Sequence, residues 1–128
     1  VITNEKLNEN FRYMIKQKGG LLAKGRLLGI QFKTLFKDGL YYRISQNAID
    51  KAMKLKTVFE DKGYSFFAAS PTNQQFPMLP DKVYEALKDR CEFWNKPDST
   101  HTTARFCTSW ATEDEAVREV EKILEGFK

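Results

Sequence analysis

The sequence predicts an α+β fold, a helical N-terminal segment followed by a small, mostly antiparallel sheet with helices on one face. Three observations predict it. Up to Lys62 the apolar residues recur at three- and four-residue spacings. From Tyr64 this gives way to short alternating runs broken by proline and turn residues, and from Glu113 the helical spacing returns. The resulting order, strand–strand–helix–strand–strand–helix, favours antiparallel neighbours joined by short connections. The expected division is a helical segment over residues 1–62 and a small α/β domain over residues 63–128.

Each element has a local reason. Val1 reads as a strand end, and the absence of an initial methionine leads us to expect a piece of a longer protein. Phe11 to Gln17 reads as a helix, stopped at Lys18-Gly19-Gly20 where paired glycines tolerate angles other residues avoid. A second helix is expected from Leu21 to Phe36. Gly25 and Gly29 lie four apart within it and each costs about 1 kcal/mol relative to alanine. Such a pair predicts close approach of another backbone, and Leu22, Leu28 and Phe32 add an apolar surface.

Asp38-Gly39 opens a third helix to about Lys62, with Leu40, Ile44, Ala48, Ala52, Leu55 and Phe59 in one stripe and Gly63 as its left-handed stop. Tyr64 to Ala69 reads as a short buried strand and Ser70-Pro71-Thr72-Asn73 as a turn. Gln74 to Leu79 alternates, and Pro77, which cannot donate to a ladder, predicts an edge. Pro80-Asp81 opens a helix to about Asp89, with Val83, Leu87 and Cys91 facing inward. Glu92-Phe93-Trp94 is a strand, and residues 95–102 a loop. Thr103 to Ser109 forms the last strand, and Thr112-Glu113-Asp114-Glu115 is a capping box before a helix burying Ala116, Val120, Ile123 and Phe127.

Composition bounds the chemistry. With 128 residues, 41% apolar and 30% charged, the chain can bury a core and has no disordered tract. No apolar run approaches the roughly 18 residues a membrane span needs, and no targeting segment is expected ahead of the first helix. The net charge of +4 conceals an asymmetry. Through Gly63 there are 13 Lys/Arg against 6 Asp/Glu, or +7, and from Tyr64 there are 8 against 11, or −3. A basic first half fits a solvated helix face, a phosphorylated cofactor or an acidic neighbouring surface. Nucleic acid is disfavoured because arginines and aromatics do not interleave and zinc-finger spacing is absent. Cys91 and Cys107 lack partners at metal-ligand spacing and are expected as buried thiols in a reducing cytoplasm.

Catalytic groups are few. No phosphate loop, nucleophile elbow or zinc-protease helix occurs, no metal is expected, and no catalytic residue is assigned within this chain. Arg105, in the strand Ala104-Arg105-Phe106-Cys107, points opposite to Ala104 and Phe106. Its planar fork suits a carboxylate held by two parallel bonds, and the plain alternative is a solvated or internally paired arginine. His101, the only histidine, lies in a polar loop; surface exposure and a minor proton-transfer role near Arg105 are both open. Lys16, Lys18, Lys24 and Arg26 surround Gly19-Gly20, where glycine amides at a helix start would favour a phosphate.

Several of these stretches resemble one family. Ile15–Phe32, with Lys18-Gly19-Gly20-Leu21-Leu22-Ala23-Lys24-Gly25-Arg26 at its centre, resembles the low-specificity L-threonine aldolase and β-eliminating lyase family, fold type I pyridoxal-phosphate enzymes. So do Phe36–Tyr41, Pro71–Pro77 and Arg105–Thr112, and the match runs along essentially the whole chain in order, as the C-terminal portion of such an enzyme. The resemblance implies a large N-terminal domain outside this chain that holds pyridoxal phosphate and its bonding lysine, with residues 1–62 linking to and packing on it. It implies that Arg105 binds the substrate α-carboxylate and, on a looser match, that Lys16 approaches the cofactor phosphate at a subunit interface. The implied partners are that large domain, a second subunit of a homodimer or homotetramer, and a small amino-acid substrate. The implied reaction is cleavage of threonine or allo-threonine to glycine and an aldehyde, with this chain inactive by itself. Two other readings stand beside it: β-elimination on the same fold, and a noncatalytic interaction module.

Overall fold

Helix dominates the first part of the chain and the sheet the second, as the change in periodicity requires. The computed structural model describes residues 3–127, so the strand end expected at Val1 lies outside the described residues. Packing divides the chain into two units, Val1–Asp38 and Gly39–Lys128.

The first unit holds a 3-10 turn at Glu5–Leu7, helix α1 at Phe11–Gln17 and helix α2 at Arg26–Phe36. Helix α1 ends where expected, with Gly19 at φ +73°. The Gly20 amide donates back to the Ile15 carbonyl at 2.9 Å, a bond that closes the helix C-terminus. Helix α2 starts later than Leu21, because Gly20 and Gly25 weaken helix propensity across that stretch and Gly25 becomes its N-cap. Among the described residues nothing lies within 4 Å of a β-carbon built at Gly25 or Gly29, so the close backbone approach expected there is not made within this chain. None of the side chains in these elements is buried.

The second unit opens on helix α3, Leu40–Asp61, entered through left-handed Asp38 (φ +52°) and Gly39 (φ +69°). Its expected stripe is its buried face, with Ala48, Ala52, Leu55 and Phe59 inside. Gly63, at φ +80°, stops it. Four strands follow: β1 at Gln74–Gln75, β2 at Met78–Pro80, β3 at Glu92–Asn95 and β4 at His101–Cys107, with helix α4 at Asp81–Leu87 and helix α5 at Asp114–Glu125. Strand β4 is central and all its partners are antiparallel: β1 and β2 pair with it, and so does β3. Although residues 1–62 read as one helical segment, α3 shares its core with the sheet, and the compact units meet between Asp38 and Gly39.

Four local expectations are corrected. Residues 64–69 contribute only one bridge, Phe66 to Pro77. Even so, bonds from Phe67 N–H to the Phe76 carbonyl and from Met78 N–H to the Ser65 carbonyl, both 2.9 Å, put Pro77 inside the sheet. Pro77 is tolerated there because it accepts, its carbonyl taking the Ala104 amide at 3.0 Å, and the missing donor falls where β1 and β2 part. The capping box does not form, since the Thr112 hydroxyl accepts the Ser109 amide at 2.8 Å instead. Helix α5 buries Val117, Val120 and Leu124, while Ala116 is exposed and Ile123 and Phe127 are half-buried.

The core lies between the Ala104–Phe106 face of β4 and helices α3, α4 and α5. Phe59 is its centre, fully buried, with its ring 5.1 Å from that of Phe106, 6.1 Å from Tyr64 and 6.3 Å from Phe66. Asn47 ties α3 to the 109–112 loop by donating to the carbonyls of Ser109, Trp110 and Thr112 at 3.2–3.4 Å.

Candidate functional site

The alternation of β4 decides which side chains leave the core. Ala104 and Phe106 point into it, so Thr103, Arg105 and Cys107 share the opposite face, as the pattern of the strand predicts. On that face Arg105 stands directly across from Glu92 of β3, and its Nη2 donates to the Glu92 carboxylate. This bond holds the guanidinium more firmly in its charged form than usual. The ladder shifts register between Phe93 and Asn95, which sets Trp94 beside Arg105 with its ring centre 5.8 Å from the guanidinium carbon. Trp94 packs in turn on Phe76 at 5.1 Å. An indole below and a carboxylate at one end thus fix the plane of the arginine fork.

Part of that fork is not satisfied. Arg105 Nε is buried without a hydrogen-bond partner, as are Thr103 Oγ1 and Asn95 Oδ1. Asn95 pairs with Thr103 across the ladder and Thr103 lies two residues from Arg105, so the three unmet polar atoms fall on one sheet face. Buried polar groups are normally paired, and a cluster that is not calls for an explanation. Beside Arg105, on the side away from Thr103 and Asn95, an open hollow of about 280 Å³ is lined by Asp89, Arg90, Cys91, Glu92, Arg105 and Cys107.

The remaining sequence-predicted residues are not gathered at Arg105. His101 lies on the same strand face but four residues away, about 13 Å along a strand. Its Nδ1 is 3.0 Å from Asp98, whose carboxylate also accepts the backbone amides of Thr100 and His101 at 2.7 and 2.8 Å. Those bonds, the Thr100 amide first, push the Asp98 carboxyl well below the usual range. Lys16 belongs to α1, in the first unit, with its side chain exposed. The phosphate cradle expected at Gly19-Gly20 is not available, because both amides bond within the turn, to Lys16 and Ile15 carbonyls at 3.1 and 2.9 Å.

Nor are both thiols buried. Cys91 is half-buried, its Sγ donating to the Leu87 carbonyl at 3.3 Å, and burial raises its thiol to about 11, whereas Cys107 is exposed because it shares parity with Arg105. Among the described residues no three His, Cys, Asp or Glu side chains converge on one point, and no helix is long and apolar enough to cross a membrane.

Glu92 and Trp94 are the site members that sequence reasoning missed. Glu92-Phe93-Trp94 was legible as a strand, but pairing Glu92 with Arg105 needs the register of β3 on β4, and the bulge that offsets Trp94 has no signature in the chain.

Comparison with known proteins agrees with the fold and with the motifs. No protein-family model matches the chain. It is 33% identical over 119 residues to a low specificity L-threonine aldolase of Pseudomonas sp. (strain NCIMB 10558), a match over 91% of this chain and 34% of that protein. It is 31% identical over 123 residues to the low specificity L-threonine aldolase of Pseudomonas aeruginosa, over 94% of this chain and 35% of that protein. The solved threonine aldolase of Leishmania major superposes with a TM-score of 0.89 at 35% identity, over 98% of this chain and 37% of that one. The chain therefore spans about a third of the length of the curated relatives it matches. In sequence and in fold, the chain is thus similar to about one third of each threonine aldolase it matches.

Proposed function

We propose that this chain is the C-terminal part of a pyridoxal-phosphate-dependent lyase that cleaves β-hydroxy-α-amino acids such as threonine and allo-threonine to glycine and an aldehyde. Within it, Arg105 binds the α-carboxylate of the amino acid. One observation carries the reading: a guanidinium backed by Trp94, with its Nε buried and unpartnered, on the face of the sheet turned away from the core.

Pyridoxal phosphate, when bound, supplies the electron sink that eases breakage of the Cα–Cβ bond. The Gly19 and Gly20 amides, engaged within their own turn, are not free to hold its phosphate. Holding it falls to an upstream large domain of the same enzyme, with Lys16 approaching its phosphate across a subunit interface in a homodimer or homotetramer. This chain contributes orientation. A carboxylate gripped by two parallel bonds cannot rotate, so the bond to be cleaved keeps one attitude during the reaction. His101, held by Asp98, takes at most a minor part.

The first unit fits the same assignment. Leu27 is 69% and Phe32 64% exposed, and neither α1 nor α2 reaches the roughly 12–15 residues at which an isolated helix becomes stable. Packed on the large domain, these side chains would be covered. Free Cys91 and Cys107 suit a reducing cytoplasm.

The test is Arg105→Ala in the full-length enzyme. Loss of the charged clamp should weaken amino-acid binding and turnover by on the order of 2–4 kcal/mol, while cofactor uptake, read from its absorbance, stays intact. Unchanged amino-acid saturation kinetics would overturn the role.

A further inference from the structure

We propose that Glu92 is a built-in competitor for the substrate carboxylate, a resident anion that must leave Arg105 before an amino acid is gripped by two bonds. The inference rests on the proposed role of Arg105 and goes beyond it by assigning a residue that tunes substrate affinity.

The geometry gives three reasons. First, Glu92 takes its bond from Nη2, the nitrogen common to both edges by which a guanidinium holds a carboxylate with two parallel bonds, Nε/Nη2 and Nη1/Nη2. A second carboxylate arriving at either edge meets a like charge there. Second, Glu92 leaves Nε unpartnered, so the arginine is occupied without being saturated. An internal pair meant only to neutralise Arg105 would be expected to satisfy that buried donor. Third, Glu92 is free to go: its side chain is 65% exposed, on a strand whose one ladder partner among the described strands is β4. Trp94 meanwhile keeps the guanidinium plane in position when the carboxylate swings out.

The size of the effect follows from the exposure of the pair. Such pairs are worth about 0.2–1 kcal/mol, so the arginine is unoccupied for roughly one part in two to one part in six of the time. Apparent affinity for an amino acid falls by that same fraction.

The experiment is the affinity of the full-length, cofactor-loaded enzyme for glycine, measured by calorimetry, with KM for threonine measured alongside. Glu92→Gln should tighten glycine binding about two- to six-fold and lower KM in parallel, and binding of ethylamine, which lacks the carboxylate, should not change. Raised salt should narrow the difference between the two enzymes, because screening weakens the resident pair. If Glu92→Gln leaves glycine affinity unchanged or weakens it, while Arg105→Ala weakens it strongly, the competitor role is overturned and the substrate role of Arg105 stands. If Arg105→Ala also leaves glycine affinity unchanged, both readings fall.

Discussion

The two units of this chain are helical in similar proportion and reach opposite ends. In the second unit the α3 stripe Ala48, Ala52, Leu55 and Phe59 meets a sheet and two further helices, and all four side chains are buried. In the first, α2 carries Leu27, Leu28, Ile30, Phe32, Leu35 and Phe36, and every one of them is at least a third exposed. Periodicity creates an apolar face in both; only a second layer turns that face into a core. An amphipathic helix is thus a statement of need, and its partner has to be found elsewhere in the chain or outside it.

Truncation at matched aromatic positions breaks or sharpens this contrast most. Phe59→Ala removes the buried ring against which Phe106, Tyr64 and Phe66 pack, and should destabilise the second unit by about 3–5 kcal/mol in urea or thermal unfolding. Phe32→Ala, on the exposed face of α2, should leave that same transition within about 0.5 kcal/mol of its original position. Equal losses would mean that the two units share one cooperative core.

A smaller effect is expected at the seam between α3 and the loop after β4. Asn47→Ala strips donors from three carbonyls at once, and a cost of about 1–2 kcal/mol in the same unfolding measurement is expected. The replacement Asn47→Asp, which keeps size but loses the donating amide, should be no better tolerated.

The smallest effect is a pH dependence at the start of α5. Hydrogen bonds from Lys51 and Lys54, both 2.7 Å from Asp114, hold its carboxyl down at about 2. A carboxyl lowered in the folded state stabilises it fully above the ordinary value near 4, and loses that contribution as pH falls towards 2. Asp114→Asn should therefore flatten the acid limb of unfolding over that interval and change little at neutral pH. An unchanged acid limb would mean that these lysines do not stabilise the fold.

Much of the architecture was legible in the residues. Phe11–Gln17 was located to the residue because glycines punctuate it, and Gly39 and Gly63 bracket α3 because a positive φ is cheap there for glycine and costly for most others. Alternation in β4 was legible too, and with it the outward aim of Arg105. Other features were not. The helix α5 stripe was read one residue out of phase, because Ala116-Val117 and Ile123-Leu124 offer two adjacent apolar rows and the sheet chose between them. The capping box failed for a related reason: Thr112 has one hydroxyl, and the tight turn after β4 claimed it.

The sequence alone determined the order of most helices and strands, which side of β4 faces inward, and that an arginine stands on the other side with family-like motifs around it. Tertiary structure alone decided what that arginine touches. Glu92 is 13 residues away along the chain and becomes its neighbour only through the register of β3 on β4, while Trp94 arrives only because the ladder slips by one. The reason is physical. Periodicity acts over a few residues and is written in local composition, whereas register is settled by the packing of a whole layer.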